Sequence, residues 1–271
     1  MSAVLVRLPV AGQTLVLNAP SGADEMLALE TPGGPLEAAL ALLDRLASFV
    51  DQDARDPRCG GLAVTDFEWT LLALRRALFG DTVRSDFTCT AAGCGERVEM
   101  EFSLADYVTD VRPRRPAVVS ADHRRQGWFR VPDAAFRLPT VEDQIAARQA
   151  EALEQGPAGV AGAGLLAARC IEAQSLSRTV LGRVERAMAS MAPELSRPLD
   201  GQCPACGARL GVMFDVSSFV LAEMRRAFAA TVAEVDLIAS AYHWSEAEIL
   251  ALSRSRRQSY AERIRLRLRA A

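Results

Sequence analysis

The sequence contains no lysine; all 31 basic residues among its 271 are Arg. GC-rich coding accounts for this, because bidentate recognition of carboxylate or phosphate favours Arg without requiring the loss of every Lys. There are only two His, three Trp and three Tyr. No apolar run approaches the ~20 residues that cross a bilayer, so no membrane span is expected. The opening Met1-Ser-Ala-Val-Leu-Val-Arg7 lacks a basic segment followed by a long apolar stretch, which predicts no secretory signal and a bacterial cytoplasmic location. Nucleophile-elbow, phosphate-loop and dinucleotide-binding glycine patterns are all missing. Neither His123 nor His243 lies near a Cys in sequence, so no catalytic dyad is visible. These absences predict a protein that is not an enzyme and takes no small-molecule substrate. A net charge of −3 speaks against a chain that coats nucleic acid.

What is present is a globular composition: 50% hydrophobic and 24% charged residues. Four of the six Cys come as close pairs. The first reads Phe87-Thr-Cys89-Thr-Ala-Ala-Gly-Cys94-Gly95 and the second Cys203-Pro-Ala-Cys206-Gly207. In both, a Gly follows the second Cys and a strand-like run follows the Gly. This is the pattern of a zinc knuckle, in which a tight turn aims backbone N–H groups at thiolates and Gly takes a left-handed φ. Cys89, Cys94, Cys203 and Cys206 are therefore expected to hold one structural Zn2+ in a closed four-sulfur shell. Four residues rather than two separate Cys89 from Cys94, so that turn must bulge. A further 108 residues lie between Cys94 and Cys203, far more than the ~15–20 of a compact ribbon. Cys59 reads as an exposed loop thiol and Cys170 as a small buried apolar residue.

The expected fold class is α+β, mainly α-helical, with a split four-cysteine zinc ribbon carrying a helical insertion. Its divisions are 1–81 (N-terminal strands and helices), 82–106 plus 200–216 (the ribbon), 107–199 (inserted linker and helices) and 217–271 (C-terminal helices). Val4-Leu-Val6 and Thr14–Leu17 read as short strands. Leu36, Leu40, Leu43, Leu46 and Val50 share one helical face. Thr65 with Glu68 forms a capping box for a helix stopped by Gly80. Residues 83–88 and 97–102 alternate as strands. The Pro-rich stretch 111–139 predicts an extended connector with a short strand near Trp128–Val131. Thr140 caps a further helix, 156–164 is a flexible linker, and helices follow at 165–173 and 177–191. After a strand at Arg209–Phe214, apolar periodicity from Phe219 to Tyr242 predicts one long helix capped by Asp215 or Ser217. Ser245 to Glu248 is a second capping box, and Ser253 caps a last helix burying Tyr260 and Ile264.

The tail 254–271 has seven Arg and one Glu, against an acidic remainder. It suits an acidic surface or a nucleic acid, or is simply a solvated helix face. Within it Arg263-Ile-Arg-Leu-Arg-Leu-Arg269 alternates strictly. That run either extends the helix or adds as a strand to a partner's sheet edge.

Residues 235–253, with Tyr242-His-Trp-Ser245 and Glu248-Ile-Leu250 at their centre and Arg256, Arg257 and Tyr260 beyond, resemble the C-terminal part of the T-even-phage baseplate hub and baseplate assembly-chaperone proteins. Residues 67–79, Phe136-Arg-Leu-Pro-Thr140 and Cys203-Pro-Ala-Cys206 are similar to the zinc-ribbon version found in phage-like contractile injection systems. The resemblance implies a non-enzymatic baseplate component or assembly chaperone that binds baseplate or other tail-assembly proteins. It implies location in the cytoplasm or in the assembled particle. It places a partner-binding surface on Tyr242, His243, Trp244, Arg256, Arg257 and Tyr260. Packing alone reads the same residues as a helical corner, with Trp244 stapled against Ile249 or Leu250. The rival reading is a zinc-ribbon nucleic-acid-binding regulator, which the acidic main body disfavours.

Overall fold

A computed structural model describes residues 3–50, 58–153 and 159–270. In chain order the elements are β1 (Val4–Arg7), β2 (Thr14–Leu17), α1 (Gly22–Glu30), α2 (Pro35–Leu46), β3 (Ala47–Phe49) and α3 (Val64–Phe79). Then come β4 (Thr82–Thr88), β5 (Arg97–Ser103), α4 (Leu104–Tyr107), β6 (Ser120–Ala121), β7 (Trp128–Val131) and β8 (Ala134–Arg137). The remainder is α5 (Val141–Leu153), α6 (Val160–Cys170), β9 (Ile171–Ala173), α7 (Arg178–Met191), β10 (Arg197–Gln202), β11 (Arg209–Phe214), α8 (Val216–Phe228), α9 (Thr231–Tyr242), α10 (Glu246–Leu250) and α11 (Arg254–Ala270). The fold class is α+β. Among the described residues no helix is long and apolar enough to cross a membrane.

The main core joins the small antiparallel sheet β1–β2–β3 to α1, α2, α3 and α8 through Leu15, Leu17, Leu36, Leu43, Phe67, Leu71, Val220 and Phe228. The sequence reading assigned α8 to the C-terminal region, but its apolar face packs here. Leu36, Leu43 and Leu46 are buried on α2 as their spacing predicts. Val50 leaves that face, because β3 begins at Ala47 and pairs with β2. Cys59, expected to be exposed, is buried in a single 3-10 turn, its N–H donating to Asp44 Oδ1 at 2.7 Å. Burial then pushes its thiol up to about 12.

The inserted region holds more than helices. Strands β6, β7, β8 and β9 form a four-stranded antiparallel sheet with its own core, Phe136 and Val131 against Val184, Ala187 and Met191 of α7. Part of the expected linker is helical from Val160, and residues 171–173 are strand rather than helix. The rest of that linker, 156–158, lies outside the described residues. The periodic run from Phe219 to Tyr242 is two helices, broken at Ala229–Ala230.

α9, α10 and α11 form a separate corner around Ile238, Ile249 and Ile264. Ser245 accepts from the Glu248 N–H and Glu248 reaches back to Ser245, as the capping box requires. This corner is fastened to α1 by Arg257, which is fully buried. Its Nε donates to Glu234 Oε2 at 2.7 Å, and its Nη2 pairs with Glu25 and contacts Thr231. The Gly at the start of α1 follows from this: a Cβ on Gly22 would stand 2.7 Å from Arg257 Nη1.

Candidate metal centre

Two hairpins carry the paired cysteines. β4 pairs with β5 in register up to Thr88↔Arg97, and β10 with β11 up to Gln202↔Arg209. Each cysteine knuckle therefore begins where its ladder stops. The two turns close with equivalent bonds: Cys89 N–H donates to Glu96 O (2.7 Å) and Cys203 N–H to Ala208 O (2.9 Å). Gly95 and Gly207 precede those acceptors at φ +64° and +72°, a region in which a side chain is strained. The two extra residues of the first knuckle are absorbed by a bond from Cys94 N–H to Ala91 O. The hairpins are separate two-stranded sheets, and their tips pack together through Phe87, Cys89, Val98, Cys203 and Leu210.

The bases are set by α3. Thr65 and Glu68 do not form the expected capping box; the helix starts at Val64, and Ala63 stands at the N-cap without a side-chain capping bond. The Thr65 hydroxyl instead donates to Pro193 O. Glu68 accepts from both the N–H (3.1 Å) and the hydroxyl (2.6 Å) of Ser196, just before β10. The Ser196 oxygen in turn accepts from Val216 N–H, just after β11. Two turns further along α3, buried Arg75 grips Glu223 of α8 and donates to the carbonyls of Gly80 and Thr82, where β4 begins. Between the bases, Phe102, Tyr107, Phe214 and Phe219 pack as a chain of rings 5.1–5.5 Å apart. Two polar side chains of one helix thus aim both hairpins. Sequence reading missed this role, since the partners of Glu68 lie 128 residues away.

Burial pushes Glu68 up to about 7 from an ordinary 4.5, against the pull of its Ser196 donors. Its folded state keeps a proton that the unfolded chain releases, so stability is expected to fall as pH rises from about 4.5 to 7. Asp66, raised to about 6 by burial, acts in the same direction. In denaturant titrations across that window, Glu68→Gln should flatten the slope. An unchanged slope would exclude Glu68 as its source.

At the tips the four sulfurs of Cys89, Cys94, Cys203 and Cys206 all lie within 4.8 Å of one another. Cys89–Cys206 and Cys94–Cys203 are each 3.8 Å apart, too far for a disulfide at about 2.05 Å. A tetrahedron with metal–sulfur bonds of about 2.3 Å has edges of about 3.8 Å, so the spacing fits a metal ion. The thiols support this. The backbone N–H of Cys206 draws Cys203 down to about 7 against burial. Cys94 is pushed up to about 12: the Glu96 N–H favours its thiolate, but the neighbouring Cys206 and burial outweigh that. Cys203 is thus favoured as thiolate while Cys89 and Cys94 are disfavoured, an imbalance that a central divalent ion would relieve. With four protein ligands no position is left for water or substrate.

The second candidate surface is only partly as expected. Trp244 stacks on Tyr242 at 5.3 Å, and Tyr260 stands edge-on to Trp244 at 5.2 Å. All three are half-buried, with Ile249 beneath. His243, at φ +58°, and Arg256 are exposed. Arg257 is a correction: the interior ion pairs described above hold it, so it presents nothing to a partner.

A family model described as T4 bacteriophage base plate protein matches residues 1–221. The match contains all four clustered cysteines and stops within α8, before the aromatic corner. No curated protein and no solved structure matches the chain. A model spanning both hairpins and the core that aims them shows the family: the chain belongs to the T4 bacteriophage base plate proteins.

Proposed function

We propose that this chain is a non-enzymatic component or assembly chaperone (adaptor) of the baseplate of a contractile, phage tail-like injection system, working through protein–protein contacts. The family match over residues 1–221 is the observation that carries the reading. The closed four-sulfur cluster supports it, because such a site has a structural use and no open coordination position. The ion we assign is Zn2+, which four thiolates at tetrahedral spacing suit. Its task is to pin the second hairpin to the first, so that a long insertion does not loosen the core. Tyr242, His243, Trp244, Arg256 and Tyr260 form the surface offered to baseplate or other tail-assembly proteins, with exposed polar groups around a rigid aromatic patch.

The test is proteomic. Mature particles and assembly intermediates are isolated from the producing cell and this chain is quantified in each. Stoichiometric presence in both identifies a resident subunit, and presence in intermediates alone identifies a chaperone. Absence from both overturns the proposal. Truncation after Ser253 is a poor probe of the corner, since it also removes the buried Arg257 and Ile264. Arg256→Glu and His243→Asn touch only exposed groups, and Asn tolerates the left-handed backbone at 243. Each is expected to lower recovery of the chain in intermediates several-fold while leaving the melting temperature unchanged, and equal recovery would remove this corner from the interface.

A further inference from the structure

The end of α11 is a helix written in a strand's period. Over Arg265–Arg269, charged and apolar residues alternate one for one. On a helix this scatters the Arg to opposite sides and leaves no apolar stripe. Past Ile264 the helix buries nothing: every residue from 265 to 270 is exposed, with Leu266 at 54% and Leu268 at 67%. Extended, the same residues put Arg265, Arg267 and Arg269 on one face and Leu266 and Leu268 on the other.

The hairpin β4–β5 carries the complementary pattern. On β5, Arg97, Glu99 and Glu101 are exposed on the outer face, Arg97 being paired with Asp86 of β4, while Val98, Met100 and Phe102 point inward. β5 has β4 as its only strand neighbour among the described residues, so its other edge has no strand beside it. Glu101 is paired with Arg84, but Glu99 makes no ion pair within 4 Å among the described residues. On the inner side Met100 borders an apolar cleft of about 270 Å³, lined also by Val212, Met213, Phe214 and Phe219. Met213 is 65% exposed there.

We propose that the tail Arg265–Arg269 of one copy of this chain adds as a strand to the β5 edge of another. Its Arg side chains then lie against Glu99 and Glu101, and its Leu side chains enter the cleft beside Met100 and Met213. Unwinding this end of α11 gives up backbone helix bonds that a new ladder replaces and no buried side chain, since residues 265–270 are all exposed. Strand addition supplies ladder hydrogen bonds, apolar burial and opposite-charge cross-strand pairs together. The sign of charge also suits a contact between copies: a strongly basic tail meets an acidic body.

The experiment is sedimentation of the full-length protein over a concentration series. Wild type is expected to self-associate. Arg265→Glu/Arg267→Glu should weaken this at least about tenfold, and Glu99→Arg should do likewise, since like charges then face each other. Both variants change exposed groups, so their melting temperatures should match wild type. Mixed together they should associate, because each tail then opposes a hairpin of opposite sign. The exchange Leu266→Arg/Arg267→Leu keeps composition and charge but breaks the alternation, and should also abolish association. A wild type that stays monomeric, variants that do not associate when mixed, or association indifferent to the exchange would each overturn the proposal.

Discussion

Cys203→Ser should remove the bound metal and lower the melting temperature by about 10 °C or more, on the scale by which domains of this size respond to lost stability. Elemental analysis is expected to give one zinc per chain for wild type and close to none for the variant. The effect is large because the proposed ion would join segments that only distant folding brings together: Cys94 and Cys203 are 109 positions apart. Three sulfurs leave an open coordination position and bind more weakly, and a Ser hydroxyl is a poor thiolate substitute. The loss should nonetheless be local. Arg75, Glu68 and the ring cluster hold the hairpin bases independently of the tips. Far-ultraviolet circular dichroism should therefore remain near wild type while the tips become accessible to hydrogen exchange. Cys59→Ser is the control: buried in the main core away from the cluster, it should change stability but not zinc content. Full zinc occupancy in Cys203→Ser would refute the metal assignment.

The cysteine site was legible in the sequence because its local signals agree. Each knuckle carries its own Gly at the strained φ, and alternation runs into the first hairpin and out of the second, so the site could be read without tertiary knowledge. Legibility failed where a residue's partner is remote or its signal absent. Thr65 and Glu68 have capping-box spacing, yet α3 starts two residues earlier than that box requires and both side chains turn to the segment before β10. Two consecutive Ala, Ala229 and Ala230, separate α8 from α9, and Ala is the last residue type to announce a break. Of the sheet β6 to β9 the sequence marks only β7, at Trp128–Val131; the other strands escaped because they are two to four residues long and one of the turns uses Asp133 at positive φ rather than a Gly. The family was named correctly, but on weight placed in residues 235–260, while the family match ends at 221. That corner carries aromatic and capping signals strong enough to be read, and it is folded as read. Arg257 was expected at the surface and is buried, for a physical reason: Arg defaults to the surface, and nothing nearby in sequence marks the two carboxylates that bury it.

Arg257→Ala is expected to be the most damaging substitution outside the cysteine cluster, costing about 3–5 kcal/mol. The argument concerns what remains behind. Glu25 and Glu234 are both buried, and the guanidinium between them is their only cationic partner among the described residues. Removing it leaves two like charges about a small apolar space, together with the Thr231 hydroxyl that donates to Glu25 at 2.6 Å. Glu25 Oε1 already lacks a hydrogen-bond partner, and once the guanidinium is gone the Thr231 hydroxyl is the one side-chain donor left to Glu25 among the described residues. Arg256→Ala, one position away and exposed, should be close to neutral, and the contrast between neighbours separates burial from helix propensity. Arg257→Lys should fall between them, since an ammonium restores charge but cannot span both carboxylates as a planar fork does. The decisive variant is Arg257→Met with Glu25→Gln and Glu234→Gln. If the cost comes from uncompensated charge, this triple change should recover most of what Arg257→Ala loses, because neutral groups of similar volume fill the same space. Chemical denaturation of the four proteins measures all of this. Equal losses in Arg257→Ala and Arg256→Ala would show that α11 is held by its apolar contacts, Ala261 and Ile264, and not by the buried ion pairs.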